Sequence, residues 1–114
     1  MTTPILGLDE WEQSQAQPQV TVNEAIRWLE CFAQLAVIDR DLTAPPGSPV
    51  DGARYIPSTP ATGAWAGHEN EIALYMGNAW AFRAAPAGAV CYVEDEDGYI
   101  RYQLNSPDSW VAFP

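Results

Sequence analysis

The residues able to do chemistry are few, and their spacing limits what each can do. His68 is the only histidine in the chain and stands three residues before Glu71. A His-x-x-Glu pair supplies two ligands, whereas zinc sites take three or four. Cys31 and Cys91 lie in no Cys-x-x-Cys spacing and read as two buried thiols acting as small hydrophobes. No metal site is therefore expected, and His68 reads as a loop histidine. The run Glu94-Asp95-Glu96-Asp97-Gly98 has the acidity of a calcium loop. With Gly98 at the sixth position of an EF-hand template, Val93 and Leu104 would fall where oxygen ligands are required. The run reads instead as the acidic tip of a hairpin. Glu69 and Glu71 are of the types that glycosidases pair, but a small open sheet gives two carboxylates no pocket. His68 has no nucleophile and orienting acid placed to form a triad. No enzymatic activity and no cofactor are expected.

The tryptophans carry a different possibility. Trp65, Trp80 and Trp110 each follow a turn, and an indole is a flat apolar surface of the kind that stacks on a sugar ring. Asn78 and Asp108, in the adjacent turns, would bond sugar hydroxyls. The plainer alternative is that the three indoles fill the core of a small β domain that has few other large residues.

Elements must position these side chains, and the clearest is a helix over 21–42. Thr21 and Glu24 form a T-x-x-E capping box, and Val22, Ala25, Ile26, Leu29, Phe32, Ala33 and Ala36 recur at helical spacing. Trp28 and Leu35 widen that stripe. Residues 1–20 show neither a helical nor a sustained strand period, and Pro18 disfavours helix at Gln17, so an extended arm is expected. Its Leu6, Leu8 and Trp11 must bury somewhere, either on their own domain or against a neighbouring subunit, and with Trp28 and Phe32 they are the candidate subunit interface. After the Pro45-Pro46-Gly47 linker, residues 43–114 read as an antiparallel β domain. Strands are predicted at 54–56, 72–76, 79–83, 89–94, 99–104 and 110–113, with tight hairpin turns at Gly77-Asn78 and Asp97-Gly98. A weak internal echo, an aromatic strand, a polar turn, then Trp and Phe, links 74–82 with 102–113. The fold class is α+β: an N-terminal arm and one amphipathic helix followed by a small antiparallel β-meander, one domain overall.

Composition excludes several classes of partner. The chain has 114 residues, 47% hydrophobic and 18% charged, with 15 acidic residues against five arginines and a formal charge of -10. So acidic a surface repels phosphate, so no nucleic-acid partner is expected. No apolar run approaches the roughly 18 residues of a membrane span, so no membrane insertion is expected, and no basic start suggests a signal peptide.

Several segments, taken in order, go further. Thr3-Pro4-Ile5-Leu6-Gly7-Leu8, Ser14-Gln15-Ala16-Gln17 and Thr21-Val22-Asn23-Glu24-Ala25 open the series. Asp39-Arg40-Asp41-Leu42-Thr43-Ala44-Pro45-Pro46, Gly52-Ala53-Arg54-Tyr55-Ile56 and Ala61-Thr62-Gly63-Ala64-Trp65-Ala66-Gly67 complete it. Together they resemble an uncharacterised family of tailed-phage and gene transfer agent virion proteins. The likeness spans nearly the whole chain, with one departure: Pro18-Gln19 stands where the family usually carries a basic Lys-His pair. The resemblance implies a virion-surface protein, a head spike or tail fibre module. Longer members append a receptor-binding region, so the module alone is expected here. It further implies an oligomeric base or adaptor that contacts capsid or fibre proteins and assists attachment to host polysaccharide. A pentamer on a capsid vertex is the favoured assembly, with a trimeric fibre second. A monomeric carbohydrate-binding module and a tail fibre or baseplate component are the alternatives.

Overall fold

Pro18 opens the helix instead of ending the arm before it. In the computed structural model, which describes residues 2–9, 18–104 and 109–112, α1 runs Pro18–Ala33. Proline suits a first helical turn, where its missing N–H has no intrahelical acceptor. Thr21 consequently lies inside the helix, and the expected capping box is not its N-terminus. The expected end at residue 42 is also corrected. The chain leaves the helix at Ala33, and Ala36–Val37 forms strand β1. Nor is the described part of the arm extended: Thr2 and Asp9 bridge antiparallel, enclosing a turn in which Gly7 takes φ 70°.

The chain divides into two compact units, Met1–Leu35 and Ala36–Pro114. The second holds seven short strands in two sheets. β2 (Arg54–Tyr55), β3 (Ile72–Met76) and β4 (Ala79–Arg83) form a three-stranded antiparallel sheet in the order β2-β3-β4. β5 (Val90–Val93), β6 (Gly98–Gln103) and β7 (Ser109–Ala112) join β1 in the order β1-β5-β6-β7. The fold is α+β, as the sequence indicates, but not a pure meander, because β1 pairs with β5 in parallel.

Register sorts the side chains onto faces, since opposed residues share a face and neighbours along a strand alternate. In the four-stranded sheet Cys91 opposes Ile100 and Tyr102 opposes Trp110. Cys91, Val93, Ile100 and Trp110 are buried on that face, as is Val37 beside Val93. In the three-stranded sheet, Ile72 and Leu74 are buried on one face. Trp110 ties β7 to the other sheet by donating its indole N–H to the Asn70 carbonyl at 2.9 Å. Both cysteines are buried thiols, as the sequence indicates.

The two hairpin turns differ. Gly77 and Asn78 have φ of 61° and 63°, the paired positive values of a two-residue type I′ turn. At the other expected turn the loop is four residues long: Val93 opposes Gly98, Asp97 takes φ 51°, and Gly98 already belongs to β6. Gly77→Ala should lower stability by about 1 kcal/mol, because a Cβ meets no neighbour there and only the left-handed backbone is penalised. Gly47→Ala, equally unobstructed and outside that region, should be nearly neutral. Urea unfolding followed by tryptophan fluorescence measures both.

Candidate functional site

Tyr55, Ala73, Tyr75, Trp80 and Phe82 share one face of the three-stranded sheet, through the pairs Tyr55–Ala73, Ala73–Phe82 and Tyr75–Trp80. The segment over that face is the 3₁₀ turn Gly63–Trp65 and the loop that follows it. Gly63 takes φ 64° to enter the turn. Thr62 N–H donates to the Thr43 carbonyl at 2.8 Å, and His68 N–H to the Trp65 carbonyl at 3.0 Å. So held, Trp65 inserts its ring among Tyr55 and Trp80, at centroid distances of 5.5 and 5.4 Å. His68 stacks flat on Phe82, 3.7 Å away, and its Nδ1 meets Glu71 Oε1 at 2.7 Å. Glu69 Oε2 accepts the Ala61 N–H at 3.1 Å. Backbone donors of this kind hold the Glu69 carboxyl below its usual range. The Gly-rich loop is thus a lid of aromatic and acidic struts.

This arrangement reassigns the three indoles. Trp65 has no exposed surface, so no sugar can stack on it. Its indole N–H has no acceptor among the described residues, a desolvation cost that the buried ring area offsets. Trp110 is 8% exposed and its N–H is already donated. Both are core residues, and the sugar-stacking expectation is corrected for each. Trp80 remains half-exposed, its ring packed edge to face against Tyr75 at 5.1 Å, beside the exposed Asn78. Asp108 lies outside the described residues.

A second cluster joins residues far apart in sequence. Carboxylate oxygens of Asp39, Asp41 and Asp95 lie within 4.8 Å of one another, a geometry able to contact one cation. Arg40 answers part of this charge, with Nε 2.8 Å from Glu96 Oε2. Partial desolvation, and then the neighbouring Asp39 carboxylate, push the Asp95 carboxyl above its usual range. Sequence spacing gave no hint of this cluster, because the link between residues 39 and 95 is made by β1 pairing with β5.

The N-terminal unit has its own polar centre. Glu30 is buried in the last turn of α1, and its carboxylate accepts from the Thr3 hydroxyl, from Leu6 N–H at 2.6 Å and from Ile5 N–H at 3.2 Å. The loop closes on itself through Thr3 N–H to the Leu8 carbonyl at 2.8 Å and Leu8 N–H to the Thr3 hydroxyl at 2.8 Å. This leaves the candidate interface residues Leu6 and Leu8 exposed, at 48% and 42%. Trp28 is buried within the single chain and offers a partner little, which corrects that expectation. Phe32 is half-buried, 6.0 Å from Trp28, and Trp11 lies outside the described residues. Trp28 and Cys31 are buried and Val22, Ile26 and Phe32 half-buried, while Leu29, a member of the expected apolar stripe, is 71% exposed between exposed Ala25 and Ala33.

These features define a small α+β protein with one lidded aromatic sheet and no assembled catalytic constellation among the described residues. The chain belongs to the family described as "Protein of unknown function (DUF2793)", whose model matches residues 22–110. Comparison with curated proteins finds no match. Among the described residues no helix is long and apolar enough to cross a membrane.

Trp65→Ala should destabilise the β unit by about 3–5 kcal/mol, the usual cost of emptying a large aromatic site. Trp80→Ala should cost clearly less, and chemical denaturation separates the two. Asp95→Asn should raise the melting temperature at neutral pH. Folding lifts the pKa of this carboxyl, so its ionised form opposes folding above that pKa, and acid relieves the penalty. The advantage of the variant should therefore vanish as pH falls through the Asp95 titration, which paired melting curves across pH will show.

Proposed function

We propose that the protein is an oligomeric structural component of a phage or gene transfer agent virion, the base or adaptor of a head spike or fibre at the particle surface. The observation that carries the assembly role is the apolar surface left open on the N-terminal unit. Leu29, Leu6 and Leu8 are 71%, 48% and 42% exposed, and Ala25 and Ala33 flank Leu29 one turn away on either side. Small residues around a projecting leucine form the relief into which a second helix packs. A protein working alone gains nothing from that stripe, and this favours the assembled role over a monomeric carbohydrate-binding module. The virion assignment itself rests on the sequence resemblance. Closed rings are the usual solution for identical subunits, and a pentamer at a capsid vertex, with a trimeric fibre second, fits the symmetry of such particles. Contact with capsid or fibre proteins belongs to this reading. So does help in attachment to host polysaccharide, for which half-exposed Trp80 and neighbouring Asn78 are the residues of the original set still available.

Leu29→Glu tests the clasp. The side chain is exposed in the single chain, so the melting temperature of the dissociated protein should hardly change, while native mass spectrometry should show the oligomer reduced to monomer. An unchanged oligomer would remove α1 from the assembly surface.

A further inference from the structure

The outward face of the four-stranded sheet is built unlike the rest of the surface. By register it carries Val90 opposite Arg101 opposite Val111 in one row, Tyr92 opposite Tyr99 in the next, and Gln103 opposite Ser109 on the far side. Tyr99 is 56% exposed and Val90 42%, and Arg101 is exposed between them. Tyr92 is fixed from below: its hydroxyl donates to Asp97, and its ring props that of Tyr99 at 5.2 Å and 61°. The Arg101 guanidinium makes no hydrogen bond or ion pair with any described residue, in a chain with three times as many acids as arginines. Arg40, by contrast, is engaged by Glu96. A guanidinium stands in an apolar and aromatic field, with no carboxylate on that face among the described residues to meet it.

We propose that this face binds an acidic saccharide, a sugar ring lying on Tyr99 with its carboxylate held by Arg101. The spacing suits one such unit, since Tyr99 and Arg101 are alternate residues of one strand, about 7 Å apart along it. A sugar presents an apolar C–H face to an aromatic ring, and a carboxylate matches the planar fork of arginine in two parallel hydrogen bonds. Gln103 lies beyond Arg101 as a donor and acceptor for hydroxyls. An extended peptide is the poorer fit. The backbone of β6 is paired on both sides, so a peptide laid across this face gains no main-chain ladder. Nucleic acid is poorer still: duplex DNA carries one charge per about 1.7 Å, against a protein of charge -10. An acidic glycan carries one charge per ring and needs only the one cation. The acidic turn at 94–97 lies past the tyrosine pair, so it repels an anion from that end and orients the carboxylate toward Arg101. The site is distinct from Trp80 and independent of the assembly proposed above.

The full-length protein should be titrated with tetragalacturonate in about 0.15 M salt, with binding read by calorimetry and by backbone and side-chain NMR shifts. The expected result is weak binding with shifts centred on Tyr99, Arg101 and Val111. Methyl-esterified tetragalacturonate should bind about 10-fold or more weakly, as should the Arg101→Gln variant, because each removes one half of a charge-assisted pair. Tyr99→Ala should weaken binding with the melting temperature retained, and tetraglutamate should fail to compete. No binding by tetragalacturonate at millimolar concentration would overturn the proposal. So would affinity indifferent to both esterification and Arg101→Gln, or tetraglutamate binding as tightly, which would mark the face as a site for acidic peptides.

Discussion

One crossing segment joins the two short sheets by backbone hydrogen bonds on both of its sides, and the β unit depends on it. Ala36–Val37 pairs with β5 on one side, where Glu94 N–H donates to the Val37 carbonyl at 2.9 Å. One residue later the same segment turns to the other sheet: Ile38 N–H donates to the Arg54 carbonyl at 2.9 Å, and Asp39 bridges Tyr55 in parallel. Leu42 and Thr43 continue it, accepting from Ser58 and Thr62 at 2.9 and 2.8 Å. The two sheets are small, three and four strands of two to six residues each. Joined through this strip they cover two edges at once, which also blunts the tendency of free edges to pair with other chains. The arrangement has an electrostatic consequence. Running β1 beside β5 delivers Asp39 and Asp41 to the acidic turn that β5 feeds, so the clustering of carboxylates follows from topology and is offset in part by Arg40.

What was legible in the sequence was local. Gly77-Asn78 announces its turn because two adjacent positive φ values are tolerable only to such residues, and β3 and β4 fall on the predicted 72–76 and 79–83. The strand run Ile72 to Met76 is apolar throughout, and its two faces are told apart only by register. The non-local pairings were hidden. Ala36 and Val37 continue the helical spacing of α1, and nothing within a local window says that Val37 will gain more from a ladder with β5. Tertiary pairing overrode the periodic signal at that boundary. Pro18 misled in the opposite direction, since a proline that breaks a helix interior is welcome in its first turn.

The same limit applies to the candidate site residues. Periodicity grouped Leu29 with Val22, Ile26 and Phe32, and a seven-residue stripe cannot reveal which of its edges turns inward. Glu30 decided the matter in physical terms. A buried carboxylate is tolerable only if its lone pairs are satisfied, and the loop of residues 2–9 brings three donors to it. At about 100° per residue Cys31 lies between Glu30 and Trp28 around the helix, so these three buried residues mark the inward side and Leu29 points away from it. The segment Thr3-Pro4-Ile5-Leu6-Gly7-Leu8, part of the sequence resemblance, thus has a structural reason: a hydroxyl and two amides for one glutamate, and a glycine for the turn that presents them.

The distribution of aromatic rings explains why two of the three candidate indoles, Trp65 and Trp110, are closed to a ligand. A small β unit with short strands has little aliphatic bulk to bury, and Trp65 and Trp110 are the largest pieces available to fill it. Each indole also performs a task that an aliphatic side chain cannot. Trp110 carries a hydrogen bond from β7 to the loop before β3, and Trp65 anchors the 3₁₀ lid by meeting Tyr55 and Trp80 at once. Rings used in this way have no face left for a ligand. Tyrosine is the residue that remains usable at the surface, because its hydroxyl keeps it soluble while its ring stays flat. In the four-stranded sheet one tyrosine is committed to Asp97 and supports the other, which is free. With Trp28, Trp65 and Trp110 buried, the aromatic surface left open falls to part-buried Trp80 and, on the open face of the four-stranded sheet, to Tyr99 beside Arg101, the pair proposed above to hold a saccharide.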